Sequence, residues 1–169
     1  LVAGPQPLVY FAMGSSGNRD LVLHVLAGLG RADCQVLAPV RSHLRQEDLE
    51  TLPRNVHVTD WIPAHQLGDA VDLAITHGGE GTVQTSCVQG WPFIGIPLQF
   101  EQRFNVQRCV AFGSARLVSQ REARRTDWAA LVRQALADEG MRSRARRMAR
   151  LMEGLDGPGR AAEAICELL

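Results

Sequence analysis

Leu73-Ala74-Ile75-Thr76-His77-Gly78-Gly79-Glu80-Gly81-Thr82 reads as an apolar strand, a glycine-rich corner and the start of a helix. The helix carries Val83, Cys87 and Val88, and is followed by Gly90-Trp91-Pro92 and the apolar Phe93-Ile94-Gly95-Ile96-Pro97. An open α/β sheet presents a helix N-terminus at the carboxyl end of a strand in this way. Gly78, Gly79 and Gly81 let the main chain approach a ligand closely, and the free N–H groups of the first helical turn point at whatever sits there. The corner is therefore a candidate anion site.

The same alternation extends in both directions. Upstream, Leu8 to Met13 reads as a strand buried on both faces, Gly14-Ser15-Ser16-Gly17-Asn18 as a small polar turn, and Leu21, Val22, Val25, Leu26 and Leu29 as one face of a helix stopped by Gly30. Cys34 to Ala38 reads as a second strand and Arg41 to Leu52 as a loop with a helical turn. Val56 and Val58 mark a short third strand before Asp60-Trp61-Ile62-Pro63, and His65 to Asp72 reads as a short helix. Downstream come the strand Phe93 to Ile96, a polar loop Gln99 to Asn105, a helix through Val106, Cys109 and Val110, and a strand Ala115 to Val118. The remainder is helical: Trp128 to Leu136, a segment carrying Met141, Ala145, Met148, Met152 and Leu155, and a last helix from Gly159 to Leu169 announced by Gly157-Pro158. Strands alternating with helices imply right-handed crossovers and a parallel sheet covered by helices on both faces.

Composition narrows the function. With 169 residues and 46% hydrophobic content, one domain with one core is expected. The 18 basic residues balance 18 acidic ones, so no global field recruits nucleic acid or an anionic membrane. Every basic residue is arginine, which removes Walker-type phosphate loops, Schiff-base lysines and lysine general bases, and hints at a GC-rich bacterial gene. Cys34, Cys87, Cys109 and Cys166 form no C-x-x-C pair and read as buried, reduced thiols of a cytoplasmic protein. No stretch approaches the ~18 apolar residues of a membrane span, and no signal peptide is evident. Leu1 to Pro7 reads as a linker entering the first strand, so the chain is expected to be a piece of something longer.

Three constellations could carry chemistry. A helix end offers roughly half a positive charge, contributing at most ~2 kcal/mol, so a diphosphate needs further donors. Thr82, Ser15, Ser16, His77 and the amides of the Gly14 and Gly78 turns could supply them. By itself, a short glycine motif is equally compatible with a tight turn, and a lone histidine with a structural one. Trp61, beside a proline-braced turn, could present a ring on which a base stacks, worth ~1–3 kcal/mol; a core tryptophan at a hinge is the plainer alternative. Glu101, Gln102 and Asn105, with Phe100, offer a carboxylate and two amides that suit sugar hydroxyls, or else belong to a solvated loop. Arg142, Arg146 and Arg150 form a stripe that reads as a solvated helix face. His24, His43, His57 and His65 lack metal-ligand spacing, and Gly14-Ser15-Ser16-Gly17 is not a nucleophile elbow.

Taken in order, Gly14-Ser15-Ser16, Trp61-Ile62-Pro63, Thr76-His77-Gly78-Gly79, Gly90-Trp91-Pro92, Pro97 and Glu101-Gln102 with Asn105 resemble the carboxyl-terminal half of a family 1 glycosyltransferase of the GT-B fold. That group includes UDP-glucuronosyltransferase-like enzymes and bacterial enzymes of natural-product biosynthesis. The resemblance implies that residues 1–169 are a Rossmann-like nucleotide-sugar donor domain for a UDP- or dTDP-sugar. Trp61 would stack on the pyrimidine, and His77 with Gly78, Gly79, Gly81 and Thr82, helped by Ser15 or Ser16, would hold the diphosphate. Glu101 and Gln102 would bind sugar hydroxyls, with Glu101 standing where aspartate is usual. Thr85 occupies the position, eight residues after His77, where plant-type members carry a ribose-binding glutamate; its short neutral side chain suits a deoxyribose donor.

The resemblance also implies catalysis without metal or cofactor, a small-molecule acceptor, and a general base supplied by a missing amino-terminal domain, with no catalytic residue in this chain. The isolated chain is expected to bind donor without turning it over. Rival readings are a standalone donor-binding subunit with a separate partner chain and a sugar-nucleotide epimerase domain. The latter would need acid and base residues around the sugar that these segments do not supply.

Overall fold

The computed structural model describes residues 5–168. Each apolar run is a strand: β1 (Leu8–Ala12), β2 (Gln35–Ala38), β3 (Val56–Val58), β4 (Leu73–Thr76), β5 (Phe93–Gly95) and β6 (Ala115–Leu117). All pair in parallel, in the order β3-β2-β1-β4-β5-β6. The helices are α1 (Arg19–Leu29), α2 (Gln46–Leu49), α3 (Glu80–Gln89), α4 (Phe100–Phe112), α5 (Gln120–Ala123), α6 (Trp128–Leu136), α7 (Glu139–Met152) and α8 (Gly157–Cys166). The chain winds from β1 towards β3 and then crosses back to build β4 to β6 on the other side. The β1/β4 boundary is thus the switch point, where such sheets open a crevice at their carboxyl ends.

The pleat sorts β1 between two cores. Val9, Phe11 and Met13 enter a cluster with Leu21, Val25 and Leu29 of α1 and Trp128 of α6. Tyr10 and Ala12 face a second cluster with Trp91, Phe93 and the α4 residues Val106 and Cys109. Each large apolar side chain buried this way contributes about 1.5–3 kcal/mol, so a strand buried on both faces has no room for polar residues. That is why the sheet was legible as continuous apolar runs. The Gly90-Trp91-Pro92 motif is structural. Gly90 ends α3 with φ +70°, and the Trp91 indole donates to the Gly68 carbonyl at 2.8 Å while its ring lies 5.7 Å from that of Tyr10.

Several expectations need correction. Gln99 to Asn105 is no loop: α4 begins at Phe100, because the Gln102 side-chain oxygen accepts the Leu98 and Gln99 N–H groups at 2.9 and 3.2 Å. Residues 65–72 form two 3-10 turns, Ala64–Gln66 and Gly68–Ala70, rather than one helix, since Gly68 takes φ +52° between them. A short helix not expected from the sequence, α5, follows β6 and is capped by the Ser119 hydroxyl. Cys34 and Cys109 are buried, but Cys87 is half-buried and Cys166 exposed; all four are free thiols. The last helix starts at Gly157, capped by Asp156. Of the expected linker, residues 1–4 lie outside the described residues, as does Leu169, while the Pro7 carbonyl accepts the Gln35 N–H at 2.9 Å. No described helix is long and apolar enough to cross a membrane.

The turn after β1 is braced from the β2–β3 crossover. Arg19, opening α1, donates through Nε to Asp48 at 2.8 Å and through a second nitrogen to its other oxygen. The Arg45 N–H donates to the same carboxylate at 2.8 Å. The Arg19 bond, and after it the Arg45 amide, hold the Asp48 carboxyl below its ordinary 3.8 against the opposing effect of desolvation. A carboxylate with a depressed folded-state pKa stabilises fully above its unfolded value and loses that contribution as pH falls through the folded one. Asp48→Asn should therefore melt lower than wild type at about pH 7, with the difference closing by about pH 2. Denaturation midpoints across this range check it; an undiminished gap in acid would show that the charge contributes nothing.

Candidate functional site

Ala12 pairs with Thr76, and Thr76 with Gly95. The turn after β1, the corner after β4 and the segment after β5 therefore leave the sheet side by side at its carboxyl edge. The sequence places a glycine pair, a histidine and a helix start at this one location.

His77 is the centre. Its main-chain N–H donates to the Ala12 carbonyl at 3.3 Å and its side chain is buried, with 8% of the residue exposed. A Cβ at Gly14 would stand 2.6 Å from the ring's Cε1, and one at Gly79 would stand 2.4 Å from Nε2. The imidazole thus occupies a slot that glycine backbones alone can form, and Gly14 also takes φ +53°. Among the described residues Nδ1 has no hydrogen-bond partner, a defect that costs about 1–3 kcal/mol in a buried group. Burial lowers the pKa of the ring below its ordinary 6.5; the Ala12 carbonyl and the Glu101 carboxylate oppose the shift, and His43 adds to it. The imidazole is accordingly neutral at neutral pH.

The corner itself is fixed by short polar contacts. Gly78, at φ +84°, lies against α4, where a Cβ would meet Val106 Cγ2 at 2.5 Å and the Gln102 carbonyl at 2.9 Å. Asn105 Nδ2 donates to the Gly78 carbonyl at 3.2 Å, and the Gly78 N–H reaches the Thr76 hydroxyl at 3.3 Å. Thr76 in turn donates to Thr82 at 2.8 Å, and Thr82 to the Gly79 carbonyl at 2.9 Å. Gly79 precedes α3 with no side chain capping the helix. Its carbonyl takes the Val83 N–H at 3.0 Å, so the N–H groups of Glu80, Gly81 and Thr82 begin α3 as open donors. Among the described residues no atom outside the local helix lies within 4 Å of a Cβ built on Gly81, so no packing contact there explains a glycine.

Other predicted residues gather around this slot to different degrees. Ser16 is tied to α4: its Oγ accepts from Gln102 Nε2 at 3.2 Å. Ser15 is exposed beside it. Glu101 is exposed and Gln102 is 2% exposed, because consecutive helical residues point about 100° apart. They do not act as a pair. Glu101 looks outward, while Gln102 caps α4 and holds Ser16. Thr82, expected as a hydroxyl donor, gives its proton to Gly79 and offers the site only its main-chain N–H. Asn105, expected near sugar hydroxyls, braces Gly78 instead.

Trp61 stands apart at the β3 side of the edge. It is 82% exposed, while its neighbour Ile62 packs into the second core. A free ring on an anchored turn is the arrangement stacking requires. Beside the start of α4 a cavity of about 380 Å³ opens, lined by Pro97, Leu98, Gln99, Phe100, Ser119 and Gln120 among others. His43 is the residue that sequence reasoning passed over: its Nε2 meets the Gly14 carbonyl at 2.7 Å, clamping the glycine that closes over His77. No spacing signal could have found it, because β2 brings it there across the sheet. Thr85 bonds back to the Gly81 carbonyl at 2.8 Å, one turn along α3.

Comparison with known proteins places the chain among glycosyltransferases. A PGL/p-HBAD biosynthesis glycosyltransferase of Mycobacterium tuberculosis is 30% identical over 146 residues, covering 85% of this chain and 33% of its own. The crystal structure of the glycotransferase of kitacinnamycin superposes with a TM-score of 0.80 at 25% identity, over 100% of this chain and 45% of that one. Glycosyltransferase VinC, solved in complex with DTDP, superposes at 0.76 with 21% identity over 91% and 39% of the two chains. The chain spans about a third of the length of the first curated relatives it matches. The fold is the Rossmann-like, carboxyl-terminal half of GT-B glycosyltransferases. The family model for the erythromycin biosynthesis protein CIII-like, C-terminal domain matches residues 23–168, and the chain belongs to that family.

Proposed function

We propose that the chain binds a nucleoside diphosphate sugar, UDP- or dTDP-linked, as the donor half of a glycosyltransferase that passes the sugar to a small-molecule acceptor. The observation that carries this reading is the slot: a buried His77 with an unpartnered nitrogen, closed by Gly14 and Gly79, beside an uncapped helix start. The open helix start is a defect a bound diphosphate relieves, and the buried Nδ1 marks how tightly the ring is enclosed beside it. Negative charge grows on the diphosphate as the glycosidic bond breaks. Preorganised N–H groups of Glu80, Gly81 and Thr82 with the α3 dipole meet that charge without reorganising. This reading calls on no metal and no cofactor.

Around that clamp, Trp61 stacks on the base, Ser15 and Ser16 face the diphosphate from the β1 side, and Glu101 takes sugar hydroxyls. Gln102 contributes by holding Ser16 and the α4 start in place. Thr85 lacks the reach and charge of a ribose-binding carboxylate, which favours a deoxyribose donor, and the dTDP complex of VinC supports the same nucleotide. The acceptor's hydroxyl needs a general base, which the amino-terminal domain of the whole protein supplies in this account. The isolated chain then holds donor without transferring it, and robust transfer by it alone would contradict the division of labour. Reduced cysteines fit work in the cytoplasm.

Thermal shifts with UDP and dTDP side by side test the site. Both nucleotides should stabilise the chain, dTDP more strongly, and ligand at about 100 times Kd adds about 2.7 kcal/mol. Trp61→Ala and His77→Ala should each abolish most of the shift. Clearly tighter UDP binding would sink the deoxyribose assignment, and a shift retained in both variants would sink the site.

Gly81→Ala separates binding from folding. Removing a helical glycine in open space should raise stability by about 0.4–1 kcal/mol. The added methyl beside the clamp should weaken nucleotide binding several-fold. Calorimetric titration alongside the melt reads both; affinity equal to wild type would show that the diphosphate does not approach this turn.

A further inference from the structure

The carboxyl edge is not the only concave part of the molecule. A cavity of about 540 Å³ lies at the opposite, amino edge, between the residues leading into β4 (Val71, Asp72), those leading into β5 (Trp91, Pro92) and one face of α7. β4 has four residues, about 13 Å of extended chain, so the two edges are separate sites. The floor is firm. A Cβ on Gly90 would touch Ala149 Cβ at 3.3 Å and Arg146 Cα at 3.4 Å, so α7 rests directly on the glycine that ends α3.

The face that α7 turns to this cavity carries Arg142, Arg146 and Arg150. Between Glu139 and Met152 the helix holds five arginines and one acidic residue, although the whole chain is formally neutral. Some of these charges are already engaged. Arg142 donates to Glu139 at 3.1 Å and to the Leu136 carbonyl at 2.7 Å, and Arg147 lies over the Phe112 ring at 5.9 Å. Among the described residues, Arg146 and Arg150 have neither a carboxylate within 4.0 Å nor a side-chain hydrogen bond. Of the two acids on the rim, Asp72 accepts the Leu8 N–H at 2.9 Å, which leaves Asp69 as the one uncommitted carboxylate.

Two guanidinium groups one helical turn apart, without counter-ions and set into a concave wall, match a doubly charged oxyanion. Each can donate two parallel N–H bonds to adjacent oxygens; both residues are exposed, so the site rests on the paired geometry and weakens as salt rises. We infer that this amino-edge cavity is a second anion site, taking a phosphate or diphosphate group between Arg146 and Arg150. The group comes either from a soluble phosphate ester or from the headgroup of an anionic lipid. The hydroxyl-bearing remainder of the ligand lies towards Asp69.

Inorganic pyrophosphate is the probe, titrated by calorimetry and by NMR of the arginine Nε–H groups in a His77→Ala background that disables the corner after β4. The inference predicts saturable binding that shifts the Arg146 and Arg150 signals. The double change Arg146→Gln and Arg150→Gln should weaken it at least tenfold, while dTDP binding to the otherwise unaltered chain stays as it was. Flotation with vesicles containing phosphatidylglycerol separates the sources: co-flotation lost in the double variant assigns a lipid headgroup, and pyrophosphate binding without co-flotation assigns a soluble ligand. Equal weakening by Arg124→Gln with Arg125→Gln, which removes the same charge elsewhere, would reduce the effect to a diffuse field and overturn the site. Absence of saturable pyrophosphate binding would overturn it as well.

Discussion

The His77 imidazole sits between two glycines where a side chain could not fit: a Cβ would stand 2.6 Å from the ring on Gly14 and 2.4 Å from it on Gly79. Much of the carboxyl edge follows from keeping that slot intact. His43 clamps the Gly14 carbonyl, and the Arg19–Asp48 pair braces the helix that the turn leads into. Asn105 and Val106 hold Gly78 from the α4 side. These contacts come from three different crossovers, so the slot exists only when the whole parallel sheet is assembled. Among the described residues the arrangement leaves a buried ring nitrogen and a helix start without partners, and each such group calls for an explanation.

Placement at the switch point explains how so small a unit gathers distant residues. β1 and β4 are neighbours although some sixty residues separate them in sequence, and the β1–β4 register brings Met13 and His77 out at one level. The two core clusters do the structural work behind this edge. They lock β1 from both faces, so the glycine turn and the corner cannot drift apart without unpacking Phe11 on one side and Tyr10 on the other. In the proposed function this rigidity matters, because N–H groups already aimed at a developing charge stabilise it more than groups that must first turn.

The sheet was readable in sequence because strands buried on both faces favour apolar residues, and Leu8 to Met13, Val36 to Ala38 and Leu73 to Ile75 show it. The His77 corner was readable as a strand, a turn and a helix start because Gly78, Gly79 and Gly81 follow an apolar run, although the glycines alone fitted a plain tight turn equally well. What stayed hidden depended on direction rather than identity. Gln99 to Asn105 is polar enough for a loop, yet it is the solvent-facing start of α4, with the buried Gln102 serving as its cap. The Thr82 hydroxyl, a natural phosphate donor by type, is turned back into its own helix. His43 carries no local signal, since its partner Gly14 lies one strand away. Arg146 and Arg150 look like an ordinary solvated stripe until the cavity beneath them is seen.

The central claim is that the His77 slot and the open start of α3 receive a nucleoside diphosphate. The most direct measurement is an NMR titration of the isolated chain with dTDP, following the main-chain amides of Gly79 to Thr82 and the ring nitrogens of His77. The account predicts large, saturable shifts at these groups and at Gly14, with the Trp61 indole signal moving at the same ligand concentration. Saturable binding that leaves the α3 amides and the His77 ring unmoved would contradict it.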